Sequence, residues 1–158
     1  MEELVKLLSE ELRYEKHDQR DDYIDIYVRS ARKTARCPYC EYMSEKVYSK
    51  ATRTLKDLPI QGKKVKLILS SHKYFCKNAN CNHKTFVERF EFFEPKATKT
   101  KRLQAEILRV SLTQSSVAAA RYLRTSVADV SKSTICDLLK KGREKQCGKV
   151  QNSFGLHR

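Results

Sequence analysis

The sequence predicts an α+β protein: a small β-rich zinc ribbon with an N-terminal hairpin, followed by a three-helix helix-turn-helix module. Three observations carry that prediction. Two short-looped cysteine pairs, Cys37-Pro38-Tyr39-Cys40 and Cys76-Lys77-Asn78-Ala79-Asn80-Cys81, bracket thirty-five residues rich in strand formers. Apolar residues alternate with a period of two before and between these pairs, and from Lys101 onward the period becomes helical. The resulting division is an N-terminal helix and hairpin packed on the ribbon over 1–36, the ribbon over 37–90, a linker over 91–100, the helical module over 101–147 and a flexible tail over 148–158.

Taken in order, Glu2 to Ser9 place Leu4, Val5, Leu7 and Leu8 at helical spacing behind two glutamates that suit a helix N-terminus, which predicts a short packing helix. Leu12, Tyr14 and Lys16 then alternate with Arg13, Glu15 and His17. After the polar break at Asp18 to Asp22, Ile24, Ile26 and Val28 alternate with Tyr23, Asp25, Tyr27 and Arg29, so two strands form a hairpin. Its acids lie on a solvated sheet face, since nothing pairs them with metal-ligand spacing or a nucleophile.

The cysteine pairs are the strongest chemical signal. Each tight turn points two sulfurs to one side, and a hairpin that joins the turns gathers the four thiolates of Cys37, Cys40, Cys76 and Cys81 that a tetrahedral, structural Zn²⁺ takes. One alternative is two disulfides, which require an oxidising compartment, and the N-terminus carries no basic-then-apolar signal peptide. The other is that His72 or His83 replaces a cysteine; with four cysteines already in paired turns, both histidines are expected around the ligands or on the surface.

Between the pairs, Val47-Tyr48 and Thr52 to Leu58 are expected as short strands, Pro59 to Gly62 as a turn, and Lys63 to Tyr74 as a long strand. That strand packs Val65, Leu67 and Leu69 and presents Lys64 and Lys66 on its other face. Lys84 to Glu88 ends the ribbon, with Phe86 as apolar cover for the metal site. Phe90, Phe92 and Phe93 pin the following aperiodic segment to the ribbon; a platform for stacked bases is the sharper reading of those rings.

In the helical module Leu103, Ile107 and Val110 form a stripe. Ser115 or Ser116 caps a second helix through Leu123, where Ala118, Ala119 and Ala120 allow close backbone approach. Ser131 caps a third helix running to about Lys145. There Ile135, Leu138 and Leu139 share one side, and Ser133, Asp137, Lys140, Lys141 and Glu144 the other. A plain helical bundle gives the same stripes, and the connection from Arg124 to Val130 is longer than the three or four residues usual in a helix-turn-helix. Cys136 and Cys147 have no partners at ligand spacing and are expected to be a small helix residue and a tail thiol.

Charge sharpens the functional reading. The formal net charge is +14, and it is uneven: residues 1–25 hold nine acids and four bases, the remainder ten acids and twenty-nine bases. With no run of eighteen apolar residues, a membrane span is not expected, and a cytoplasmic, nucleoid-associated protein with nucleic acid as partner is.

Several motifs in sequence order bear a resemblance: Cys37-Pro38-x-Cys40, Arg53-x-Leu55-x-Asp57-Leu58-Pro59, a basic strand into Cys76-x4-Cys81, Phe86-x-Glu88, Ala118-Ala119-Ala120 and Ser133-Thr134-Ile135. Over about residues 1–145 the chain resembles the N-terminal region of bacterial insertion-sequence transposases of the ISL-three group. The resemblance implies a zinc finger and a helix-turn-helix that bind the element's terminal inverted repeats ahead of an RNase H-like catalytic domain with an Asp-Asp-Glu triad. This chain stops where such a domain would begin, so binding is expected and catalysis is not.

Three functions follow as expectations. The first is a double-stranded-DNA-binding module, in which Lys132, Ser133, Thr134 and Asp137 meet bases, Lys140 and Lys141 meet phosphates, and Lys64, Lys66, Lys99, Lys101 and Arg102 add basic contacts. The second is a fragment of an active transposase. The third is a protein-interaction zinc ribbon that regulates transposition or transcription. A homodimer or a full-length transposase is a further expected partner.

Overall fold

A computed structural model of the chain describes residues 1–113 and 115–140. The expected extension of the third helix to Lys145, together with Lys141, Glu144, Cys147 and the tail over 148–158, lies outside the described residues. In chain order the elements are α1 (Glu2–Lys6), β1 (Leu12–Gln19), β2 (Tyr23–Ser30), β3 (Ala35–Arg36), β4 (Met43–Ser44), β5 (Val47–Ile60), β6 (Lys63–Phe75), β7 (Thr85–Val87), α2 (Lys101–Thr113) and α3 (Ser116–Ser126). A fourth helix, α4, occupies residues 132–140.

The hairpin and the ribbon share one sheet. Its order is β1-β2-β6-β5, with β7 also on β6, while β3 and β4 form a separate two-stranded piece. The hairpin joins the ribbon by strand pairing: β2 runs parallel to β6 from Tyr23↔Lys64 to Arg29↔Ser70. The short strands expected over 47–58 are one strand of fourteen residues, β5, paired along β6. Ile60 pairs Lys63 across a two-residue turn, where Gln61 (φ 50°) and Gly62 (φ 76°) both take the left-handed conformation that such a hairpin turn demands.

Alternation then decides what is buried. Ile24, Ile26, Val28, Leu55, Val65, Leu67 and Leu69 line the inner face, covered by Val5 of α1 and by Phe90, Phe92 and Phe93. The segment expected as a linker is therefore part of the core, and it also lies along the sheet edge: the Lys56 N–H donates to the Thr98 carbonyl (2.9 Å) and the Thr100 N–H to the Lys56 carbonyl (3.0 Å).

Asp57 fixes the helices to this sheet. It is buried, accepts from Thr100 Oγ1 (2.7 Å) and Arg102 Nε (2.8 Å), and also pairs with Arg102 Nη2. Thr100 in turn accepts from the Leu103 N–H, capping α2. Leu103, Ile107, Val110, Ala119, Ala120, Leu123 and Ile135 build the helical core, joined by Leu58 from β5. Ser115 Oγ caps α3 through the Ala118 N–H, and Ser131 Oγ accepts from the Thr134 N–H at the start of α4. Among the described residues no helix is long and apolar enough to cross a membrane.

Candidate metal centre and cationic surface

Parallel pairing of β2 with β6 delivers both cysteine pairs to one end of the sheet. Cys76 directly follows β6, and Cys37 follows β2 after a short excursion, so the two turns meet. In the first turn the Cys37 N–H donates to the Tyr42 carbonyl (2.8 Å) and the Glu41 N–H to the Cys37 carbonyl (2.9 Å), with Glu41 at φ 59°. In the second, the Cys81 N–H donates to the Asn78 carbonyl (3.1 Å) and the Asn80 N–H to Asn78 Oδ1 (2.9 Å).

The four sulfurs of Cys37, Cys40, Cys76 and Cys81 all lie within 4.8 Å of one another, with Cys40 and Cys76 at 3.5 Å. Zn–S bonds of about 2.3 Å in a tetrahedron place sulfurs ~3.8 Å apart, so the set suits such an ion in both spacing and donor softness. Among the described residues it is the one cluster of three or more candidate metal ligands, and all five described cysteines are free. Without a metal, the Tyr42 N–H draws the Cys40 thiol down to about 7, while burial pushes Cys76 up to about 12. A bound cation would favour the thiolate at all four. Cys37, Tyr74 and Phe86 form the apolar backing, the cover assigned to Phe86.

Neither histidine belongs to the tetrad. His83 stacks on Tyr39, ring centroids 3.6 Å apart. His72 stands beside Glu88, a buried carboxylate that accepts from Ser30 Oγ (2.8 Å) and from the His72 N–H (2.5 Å). Glu88 thereby satisfies the edge of β6 between its pairing with β2, which ends at Ser70, and its pairing with β7, which begins at Lys73.

The basic candidates fall into two groups. Arg102 is bound to Asp57, Lys101 to Glu94 (3.3 Å), and Lys64 Nζ to Asp129 Oδ1 (2.6 Å), so their charges are matched within the protein. Lys66 lies over the Tyr23 ring at 4.6 Å with no carboxylate at ion-pair distance among the described residues. Lys99 is half-buried and bridges to Lys56; burial, then the Lys56 charge, lower its pKa. On α4, Lys132, Ser133, Asp137 and Lys140 are exposed, whereas Thr134 is half-buried and, with Leu138, faces a groove beside Glu94 to Lys99. Cys136 is half-buried on the same helix.

Sequence reasoning missed Asp129. Five residues, 127–131, connect α3 to α4, and Asp129 uses that length to reach the sheet. Tyr23 Oη donates to its Oδ2 (2.9 Å), Lys64 Nζ to its Oδ1, and Lys56 Nζ to its carbonyl (3.2 Å). A lone aspartate in the connection Val127-Ala128-Asp129-Val130-Ser131 carries no sequence signal for that role.

Residues 33–81 match the family model described as the zinc-finger of transposase IS204/IS1001/IS1096/IS1165. The match spans both cysteine pairs and the hairpin between them, and over that stretch the resemblance to ISL-three-group transposases holds. No curated protein and no solved structure matches the chain.

Proposed function

We propose that this chain is a zinc-dependent, sequence-specific DNA-binding module that recognises duplex ends such as the terminal inverted repeats of an insertion element. Strand transfer is no part of the proposed activity. Zn²⁺ is the ion assigned to the tetrad: four soft thiolates in a closed set are its structural ligands, and their role is to hold the ribbon in shape.

One observation carries the reading, the Asp129 junction. By binding Tyr23, Lys64 and Lys56 it ties the start of α4 to the basic half of the sheet. The exposed Lys132, Ser133, Asp137 and Lys140 of α4 act, on this proposal, together with Lys66 and the Lys56/Lys99 pair as the face that meets DNA. In this reading α2, α3 and α4 act as a helix-turn-helix whose lengthened turn is used for docking, α4 enters a major groove, and the lysines take flanking phosphates. Lys99, whose cationic form burial and then the neighbouring Lys56 charge disfavour, is stabilised when a phosphate lies between the two lysines.

Selection of bound sequences from a random duplex pool by the zinc-loaded chain tests this. The expected result is an enriched site that the chain binds but does not nick with Mg²⁺ present. An unenriched pool would remove the specificity, and nicking would return the chain to the enzymes.

A further inference from the structure

Arg53 stands on the wrong face for a solvated cation. In β5 it pairs opposite Leu69 and shares the inner side of the sheet with Leu55 and Asp57. Its guanidinium lies 5.5 Å from the centre of the Phe93 ring, it is half-buried, and among the described residues no carboxylate stands at ion-pair distance from it. The nearby Glu88 has both oxygens engaged by Ser30 and His72.

What Arg53 faces is a cavity of about 540 Å³ between the metal-binding turn, the end of β6 and the phenylalanine segment. Phe86, Phe90 and Phe93 floor it, the half-exposed Tyr39 ring stands at its rim, and Arg89 and Lys96, with no carboxylate at ion-pair distance among the described residues, line it beside the Lys101–Glu94 pair. That size is within the roughly 300–1,000 Å³ of small-ligand sites. Aromatic rings accept a planar base of any sequence, and a bidentate guanidinium in apolar surroundings accepts a phosphate.

We propose that this cavity binds one unpaired nucleotide of a DNA strand, its base against the aromatic floor and its phosphate on Arg53, with Arg89 and Lys96 guiding the neighbouring phosphates. The inference rests on the nucleic-acid reading above but uses a different surface from α4, so the chain engages a duplex and an adjoining single strand by separate sites.

The test uses the full zinc-loaded chain and a fluorescein-labelled single strand of six thymidines, followed by anisotropy, beside the selected duplex. Arg53→Gln is expected to weaken the single strand about tenfold and the duplex less than twofold, while Lys140→Ala does the reverse. Arg89→Gln, an exposed change that leaves the sheet intact, is expected to weaken the single strand several-fold and keeps the test decisive if Arg53→Gln misfolds. Wild-type single-strand affinity in both arginine variants overturns the proposal and leaves duplex recognition standing. Loss of duplex binding alone, with single-strand binding and its arginine dependence retained, overturns the duplex reading and not this one. Full displacement of the strand by a glutamate hexapeptide, or by thymidine monophosphate at equal nucleotide concentration, would assign the cavity to an acidic peptide or to a free nucleotide and overturn it.

Discussion

Asp129 shows how one carboxylate can settle the position of a helix. Its pKa is lowered, chiefly by the hydrogen bond from Lys64, and that of Lys64 is raised by the same bond. A lowered carboxylate pKa contributes stability that is present above the unfolded value of about 3.9 and lost as pH falls through the folded value; a raised lysine pKa contributes below about 10.4 and is lost above it. The junction therefore holds between about pH 4 and 10.4. With Asp129 46% exposed and Lys64 19% exposed, it is worth about 1 kcal/mol or less. Asp129→Ala is expected to lower stability by that amount and to weaken duplex binding, although the loss of a negative charge alone would tighten it, read by urea unfolding and by titration with the selected site. Tighter binding in the variant would show that α4 needs no such tether. Asp57 is the stronger case, because its side chain is only 3% exposed. Breaking a buried pair costs about 3–5 kcal/mol, and the 40% exposure of Arg102 reduces this, so Asp57→Ala is expected to cost about 2 kcal/mol by urea unfolding.

At the scale of elements, the two ends of the sheet have separate cores. The phenylalanine-covered core and the cluster of Cys37, Tyr74 and Phe86 share no residue. Structural zinc supplies on the order of 10 kcal/mol of apparent folding free energy, yet only the second cluster leans on it. Chelation, or Cys76→Ser, is expected to expose the amides of Cys37, Phe75 and Cys76 to hydrogen exchange while those of Val65 and Leu67 stay protected; uniform loss of protection would show a single cooperative unit. The same division explains what the sequence made legible. Cysteine spacing located the tetrad, and the alternation of Ile24, Ile26, Val28, Val65, Leu67 and Leu69 gave the inner face, because both are local patterns. The single long β5 was hidden since its first residues, Val47 to Lys50, are exposed and show no alternation. Pairing of β2 with β6 was hidden because it joins residues some forty positions apart, and a period of two names a face but not a neighbour. The matched charges of Lys64 and Arg102 were equally out of reach, their partners lying in other elements.

For the molecule as a whole, the basic excess after residue 25 makes binding salt-dependent. Contact with about six phosphates gives a slope of log K against log[salt] of roughly −5. Lys66→Ala and Lys132→Ala are each expected to make it shallower by about 0.9, and Arg102→Gln, whose charge is already matched by Asp57, to leave it unchanged. A flat dependence in the wild-type chain would remove phosphates from the interface. The length of β6 adds a geometric demand. From Lys64, which anchors α4, to Cys76, which anchors the metal-binding turn, the strand advances about 40 Å at ~3.3 Å per residue. A turn of B-form duplex is about 34–36 Å. The strand thus works as a gauge: if both ends touch the same duplex, they meet it about one helical turn apart and from the same side. Hydroxyl-radical cleavage should then reveal two protected patches with that separation, and altering the length of the β5–β6 hairpin by two residues on each strand should move one patch while leaving the other in place.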